Sequence, residues 1–273
     1  LVQVNTIGHT NTSGSPNIDY FISSKNLETK NSQQNYSERL IKLSRLPVNY
    51  STPKLTVDSF NRNKLNLPDK TFLIGLPHSL FKYHPDFDFI LDKILEEIPH
   101  AYFHCAEGTK KTMTKALKER WSLNTNLILK RTIFYSRVGI NDFLSILKGV
   151  DIILAPFYYG VGNTFYQAML FGTPVVSLVG EDSKTRGTYA GYKQMGIENP
   201  PIAKTPEEFI SITKKLAFDN LYKKNISSQI IKKSKQFLFE DKSIHKEYIN
   251  FFNASIKAAK NDLHLTEEWD SIE

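Results

Sequence analysis

Two glycines, Gly160 and Gly162, stand directly ahead of Asn163 and Thr164 in the stretch "VDIILAPFYYGVGNTFYQAMLFGTPVVSLVG". Glycine lets a backbone come close to a ligand, and the first amides of a helix have no partner within it. A helix starting at this turn would aim the amides of Asn163, Thr164 and Phe165 outward, at the end where the helix dipole favours an anion. The same residues also serve as a plain strand-to-helix turn in which Thr164 is only a cap. Lys82, in "SLFKYHP", lies just past another apolar run and carries a compact charge suited to a phosphate, although a lone lysine there is more often a plain surface residue.

If both apolar runs are parallel strands, the glycine turn and the lysine sit on one sheet edge, outside the carboxyl ends where open α/β sheets bind ligands. A glycine cradle and a lysine converging on one crevice describe how the diphosphate of a sugar nucleotide is held without a metal. The pair Asp86 and Asp88 in "PDFDF" has the spacing of a metal-binding Asp-x-Asp. Asp86 follows Pro85 at a helix start, however, where carboxylates serve the dipole. None of the seven histidines shows metal-ligand spacing, so no metal site is expected. Of these His78, near Lys82, is the best placed for the crevice, in a position that also fits a surface or capping role.

The elements that must position these residues follow from periodicity. "VQVNTIG" and "IDYFISS" read as strands around a polar turn, and "NYSERLIKLSRLP" shows apolar residues at helical spacing up to Pro47. Residues 48–68 hold two prolines and no periodicity, as a linker does. From residue 71 strand and helix signals alternate: strand 71–76, helix 86–98, strand "AYFHCA", helix 111–121, strand "LILKRTIFY", helix 141–148, strand "DIILAP", helix 164–171 and strand "PVVSLVG". That alternation predicts an α/β fold with a doubly wound parallel sheet. "TPEEF" has Thr205 as a cap and Pro206 at the first helical position, and the chain to about residue 260 is expected to be helical. The expected organisation is 1–47 as the end of one lobe, 48–68 as linker, 69–240 as a second lobe, and 241–273 as a C-terminal helix and tail.

Lys+Arg 35 against Asp+Glu 28 gives a formal charge of +7, which suits an anionic partner. The basic residues are scattered and no basic stripe is interleaved with aromatics, so nucleic acid is not expected. The one cysteine, Cys105, excludes an internal disulfide, reads as a small core residue and fits a reducing, cytoplasmic setting. No apolar run approaches the length of a membrane span. Because the chain opens at Leu1 in strand-like sequence without a methionine, it is expected to be cut from something longer.

Four motifs in order resemble one family, the C-terminal catalytic portion of the O-GlcNAc transferase group, which takes in SPINDLY-type and bacterial N-glycosyltransferases. They are "VQVNTIGHTNTSGSPNIDYFISS", "YSERLIKLSRLP", "SLFKYHPDFDFILDKILEEIP" and the stretch from Val150 through "GTPVVSLVGEDSKTRGTYAGYKQMGI". The resemblance covers roughly residues 1–200. It implies a GT-B architecture: a Rossmann-like parallel sheet in the C-terminal lobe, which binds the donor, with the end of an N-terminal Rossmann-like lobe before it.

By the same resemblance Lys82 matches the lysine on the donor diphosphate, and Ser79 stands where a glutamine neighbours it. Gly162, Asn163 and Thr164 match the diphosphate turn, and Val138 and Phe143 fall beside the base. Gln167 takes the place of a family acid that grips the ribose, where an amide still hydrogen-bonds but offers no charge. Arg186 matches a family arginine with a structural role. The implied reaction moves GlcNAc or glucose from a UDP-sugar, with UDP as product, to a protein hydroxyl or amide nitrogen, with no cofactor. His9 is the one candidate base from the first lobe. Another GT-B enzyme, such as a UDP-GlcNAc 2-epimerase or a glycan-building transferase, and a non-catalytic lobe acting as a binding module remain open alternatives.

Overall fold

The computed structural model describes residues 1–53, 57–58, 60–266 and 269; residues 54–56 and 59 of the expected linker and 267–268 and 270–273 of the expected tail lie outside the described residues. Three short parallel strands come first, β1 (Val4–Thr6), β2 (Tyr20–Ser24) and β3 (Arg39–Leu43), in that spatial order. β3 is where a helix was expected from "NYSERLIKLSRLP". Leu40, Ile41 and Leu43 are all buried, and they pair in register with Phe21, Ile22 and Ser24 of β2. A strand covered on both faces is apolar nearly throughout, so so short a run cannot be told from a helix by period alone.

A larger sheet follows, built from β4 (Phe72–Leu76), β5 (Ala101–Ala106), β6 (Thr132–Tyr135), β7 (Ile152–Leu154), β8 (Val175–Leu178) and β9 (Ile202–Ala203). All its pairings are parallel, in the order β6-β5-β4-β7-β8-β9. The order runs outward from β4 in one direction and from β7 in the other, so the winding reverses between those two strands. The crossovers are α1 (Pro85–Glu97), α2 (Lys111–Asn124), α3 (Ile140–Gly149), α4 (Asn163–Met169) and α5 (Ser183–Met195). After β9 come α6 (Pro206–Phe218), α7 (Asn220–Phe237) and α8 (Ser243–Ala259). The Thr205 hydroxyl accepts from the amide of Glu208 and caps α6, as its sequence predicted. Three elements here differ from expectation: α5 and the edge strand β9 were not anticipated, and "LILKRTIFY" is a strand only from Thr132, preceded by a 3-10 turn over Leu129–Arg131. In that turn the Arg131 guanidinium donates to the carbonyls of Leu95 and Pro99, a use that continuous strand would not permit.

Alternate residues of β4 face different layers, the period of two that strands impose. Phe72, Ile74 and Leu76 pack with Phe87 and Leu91 of α1 and Trp121 of α2, while Leu73 packs with residues of α3, α4 and α7. The fully buried Cys105 belongs to the first layer, and burial pushes its thiol up to about 12, so it is an inert core residue as expected. α8 returns to the small sheet, where Ile244 and Phe251 meet Tyr20, Ile22 and Ile41. No helix among the described residues is long and apolar enough to cross a membrane.

Asp151, just ahead of β7, joins three segments. Its Oδ2 accepts from Arg62 at 2.5 Å and from the amide of Leu73 at 2.9 Å, and its Oδ1 accepts from Lys223 of α7 at 2.7 Å. Burial pushes this carboxyl up, but the bonds from Lys223 and Arg62 outweigh it and hold it below the usual carboxylate range. Removing a carboxylate that pairs two cations leaves both short of a partner, so Asp151→Ala is expected to cost about 2–3 kcal/mol in urea unfolding at neutral pH. A depressed carboxyl stabilises the fold above its unfolded pKa and loses that effect as pH falls through the folded value. The gap between wild type and variant therefore narrows below roughly pH 4.

Candidate functional site

The winding reversal between β4 and β7 sends the loops after these strands to opposite faces of the sheet and opens a crevice beyond their carboxyl ends. The β4 loop carries Ser79 and, in a 3-10 turn over Leu80–Lys82, Lys82 itself. The β7 loop carries Gly160 to Thr164 and passes into α4. Gly160 sits at φ +59, with Lys184 O 3.0 Å from where a Cβ would stand, so glycine is required there. Gly162 caps α4, and a Cβ on it would meet nothing within 4 Å, which places the bare backbone of the turn against open space.

Lys82 and Gly162, Asn163 and Thr164 line a single cavity of about 430 Å3. Its opposite wall comes from the small sheet's side, including Ile7, Gly8 and Thr10. Among the described residues the amides of Asn163 and Thr164 have no hydrogen-bond partner. The Phe165 amide, expected as a third free donor, is instead taken by the Gly162 carbonyl at 2.9 Å, because the helix opens with a tight turn. Lys82 is half-buried, and burial lowers its pKa from the usual lysine value. No carboxylate pairs with it among the described residues; its ammonium lies over the ring of Tyr159, 4.2 Å from the centroid.

His78 is not at the surface. It is buried at the end of β4, and its Nε2–H donates to the carbonyl of Leu154 at the end of β7, 2.9 Å away. Burial holds the imidazole down to about 3 and Lys82 pushes the same way, so it is a neutral donor that ties the two strand ends across the crevice. Asp86 and Asp88 do not form a metal pair: Asp86 is in the exposed first turn of α1, and Asp88 is buried against Arg120 and the indole of Trp121.

The remaining expected residues fall elsewhere. Ser79, Val138, Phe143 and Gln167 line a second cavity, of about 480 Å3, at the ends of β4, β5 and β6. Glu107 and Tyr135 line it too. Sequence reasoning passed over both, although Glu107 is the first residue beyond β5 and so obeys the rule that singled out Lys82. The Tyr135 hydroxyl is buried without a partner among the described residues. His9 is exposed and outside the lining of both cavities, though its neighbours Gly8 and Thr10 line the first. Arg186 is structural: it donates from α5 to the carbonyls of Leu27, across from the small sheet, and Gly180.

No family model matches the chain. A probable UDP-N-acetylglucosamine–peptide N-acetylglucosaminyltransferase SPINDLY of Solanum lycopersicum is 24% identical over 225 residues, which is 80% of this chain and 23% of that protein. This chain therefore spans about a quarter of the length of that curated relative. Among solved structures, an O-GlcNAc transferase mutant of Thermobaculum terrenum matches with a TM-score of 0.81 at 22% identity, over 92% of this chain and 47% of the other. The HepE protein of Anabaena, solved with UDP and glucose, matches with a TM-score of 0.55 at 14% identity, over 86% of this chain and 63% of the other. The architecture is GT-B, and both the sequence relative and the first of these structures are O-GlcNAc transferases to which this chain is similar.

Proposed function

We propose that the chain is the donor-binding part of a glycosyltransferase that moves GlcNAc or glucose from a UDP-sugar to a serine or threonine hydroxyl, or an asparagine amide, of a protein. The observation that carries this reading is the convergence of Lys82 with the free amides of Asn163 and Thr164 on one cavity at the winding reversal. Each of these groups is a positive or hydrogen-donating centre fixed before any ligand arrives, and together they suit the two phosphates of a nucleoside diphosphate. On this reading base and ribose go to the second cavity, which Val138, Phe143 and Gln167 line. The wall from the small sheet would face the acceptor.

In such a transfer the departing UDP gathers negative charge as the bond to the sugar breaks. Donors aimed at that growing charge lower the barrier more than they tighten the ground state. Lys82 and the turn amides supply this stabilisation with no divalent ion, so turnover is expected to survive chelation by EDTA. No general base is assigned, and His9 has only its adjacency to the cavity in its favour. The lone buried thiol suits a cytoplasmic setting.

UDP is expected to raise the melting temperature of the protein, since a ligand that binds only the folded state stabilises it. Lys82→Ala and Thr164→Ala should each weaken UDP binding in calorimetry, and Lys82→Ala should slow turnover of the intact protein by about 100-fold. Wild-type affinity and turnover in both variants would sink the reading. An absence of any UDP effect on the wild type would turn it toward a non-catalytic lobe.

Affinity for UDP should also depend on pH through Lys82. Of the two forms of Lys82 only the charged ammonium adds to the pull of the turn amides, so binding weakens as pH rises through the Lys82 pKa. Burial places that limb below the usual lysine value, and the limb should vanish in Lys82→Ala. A calorimetric pH series on both proteins reads it directly.

A further inference from the structure

The loop between β7 and the glycine turn contains a local conflict. Tyr158 has φ +67, a left-handed conformation that a bulky aromatic residue rarely adopts, and its side chain is 54% exposed, so core packing does not force it there. Besides its neighbour Phe157, whose ring it meets edge to face, two contacts hold it to another element. Its hydroxyl donates to Asp86 Oδ2 at 2.6 Å, and its ring meets His84 edge to face with centroids 4.8 Å apart. Both partners belong to the start of α1, directly after the turn that carries Lys82. His84 and Asp86 are themselves more than half exposed, so these contacts add little to global stability. What they do is lash the β7 loop to the β4 loop on the solvent side of the crevice, as His78 does on the buried side.

The next residue, Tyr159, is the one whose ring lies under the Lys82 ammonium, and Gly160 follows it. A carboxylate in that place would hold the lysine but also neutralise it, and an incoming phosphate would have to displace it. An aromatic face attracts the cation through its quadrupole and leaves the full positive charge for a third party. The ring also restricts a long side chain that otherwise has many rotamers, which lowers the entropic cost of aiming it at a ligand.

We propose that Tyr159 is a positioning residue for Lys82, and that the Tyr158–Asp86 tie keeps Tyr159 in place, so that the ammonium is held, uncompensated, in the cavity that the turn residues Gly162 to Thr164 also line and that would receive the diphosphate. This rests on the reading of the cavity as a nucleoside diphosphate site and adds the group that aims its lysine.

The test is calorimetry with UDP and UMP on wild type, Tyr159→Leu, Tyr159→Phe, Tyr158→Phe and the same Tyr159→Leu change in a Lys82→Ala background. Loss of the ring face should weaken UDP binding by about five- to tenfold, while Tyr159→Phe, which keeps the face, stays within about twofold of wild type. UMP, which lacks the leaving phosphate, should bind wild type and Tyr159→Leu alike. Tyr158→Phe keeps both rings and loses only the bond to Asp86; it should weaken UDP by about threefold and spare UMP. In the Lys82→Ala background Tyr159→Leu should have no further effect. Equal weakening of UDP and UMP, or a full Tyr159→Leu effect without Lys82, would overturn the proposal. A wild type that binds UDP while Tyr159→Leu binds it equally well removes this inference alone; a wild type that fails to bind UDP removes the diphosphate reading and this inference with it.

Discussion

Parallel pairing of β4 with β7, two strands separated in sequence by β5 and β6, sets the loops after them side by side and turns them toward opposite faces of the sheet. Ladder bonds between two strands end where the loops diverge, and the carbonyls just beyond would otherwise lie bare in a crevice. Leu154 avoids this by accepting from the buried His78 ring, so the pairing continues one step further through a side chain. A protonated imidazole would be costly at that depth. The neutral ring is held by the same burial that makes the bond strong, which leaves positive charge in the crevice to Lys82.

The second constraint is the placement of the small sheet against the large lobe, since it supplies one wall of the first cavity. Many of the contacts that fix it are side chains donating to or accepting from backbone. Arg186 reaches the Leu27 carbonyl, Ser183 reaches the Thr10 carbonyl, Gln194 accepts from the Leu46 amide, and Arg45 reaches the Phe237 carbonyl while pairing with Asp241. Tyr50, from the stretch between the sheets, lies flat on Tyr166 of α4 with centroids 4.4 Å apart. The helix that carries the glycine turn is thereby tied to that stretch, and both rings line the first cavity. Bonds to backbone depend little on which side chains surround them, so the spacing across the cavity is set by chain path more than by local composition.

How much of this could be read from residues alone varies with how local the cause is. The strand and helix alternation from residue 71 was legible because each element carries its own period, and the cap at Thr205 because its motif is four residues long. The segment that became β3 was not, since Leu40, Ile41 and Leu43 fit either period and only pairing with β2 decides between them. α5 was hidden by its two glycines: Gly191 is there because a Cβ would stand 2.2 Å from the ring of Phe165, a packing demand that lowers helix propensity where a helix nonetheless forms. At the site, Lys82 and the Gly162 turn stood out because they follow strands directly. Tyr159 did not, and His78 was singled out without its role, because both roles come from partners on other elements, Lys82 for Tyr159 and, 76 residues away, Leu154 for His78.

α4 joins the two cavities, and its geometry limits how they can cooperate. Thr164 lines the first and Gln167 the second, three residues apart, which on a helix is about 4.5 Å of rise and nearly the same face. A ligand spanning both would pass along that face, with its most negative part at the turn and its less charged part beside Gln167. A carboxylate at 167 would lie within a Debye length of any diphosphate at the turn, in a half-buried place where salt screens poorly. The amide keeps one acceptor and two donors for hydroxyl groups and brings no repulsion. On the proposed reading, Gln167 gives up the strength of a charged bond to a diol and gains a gentler field around the phosphates. Anchoring then shifts toward the turn amides and Lys82, so the aim of that ammonium over Tyr159 matters more here than it would in a site with an acid at the same position.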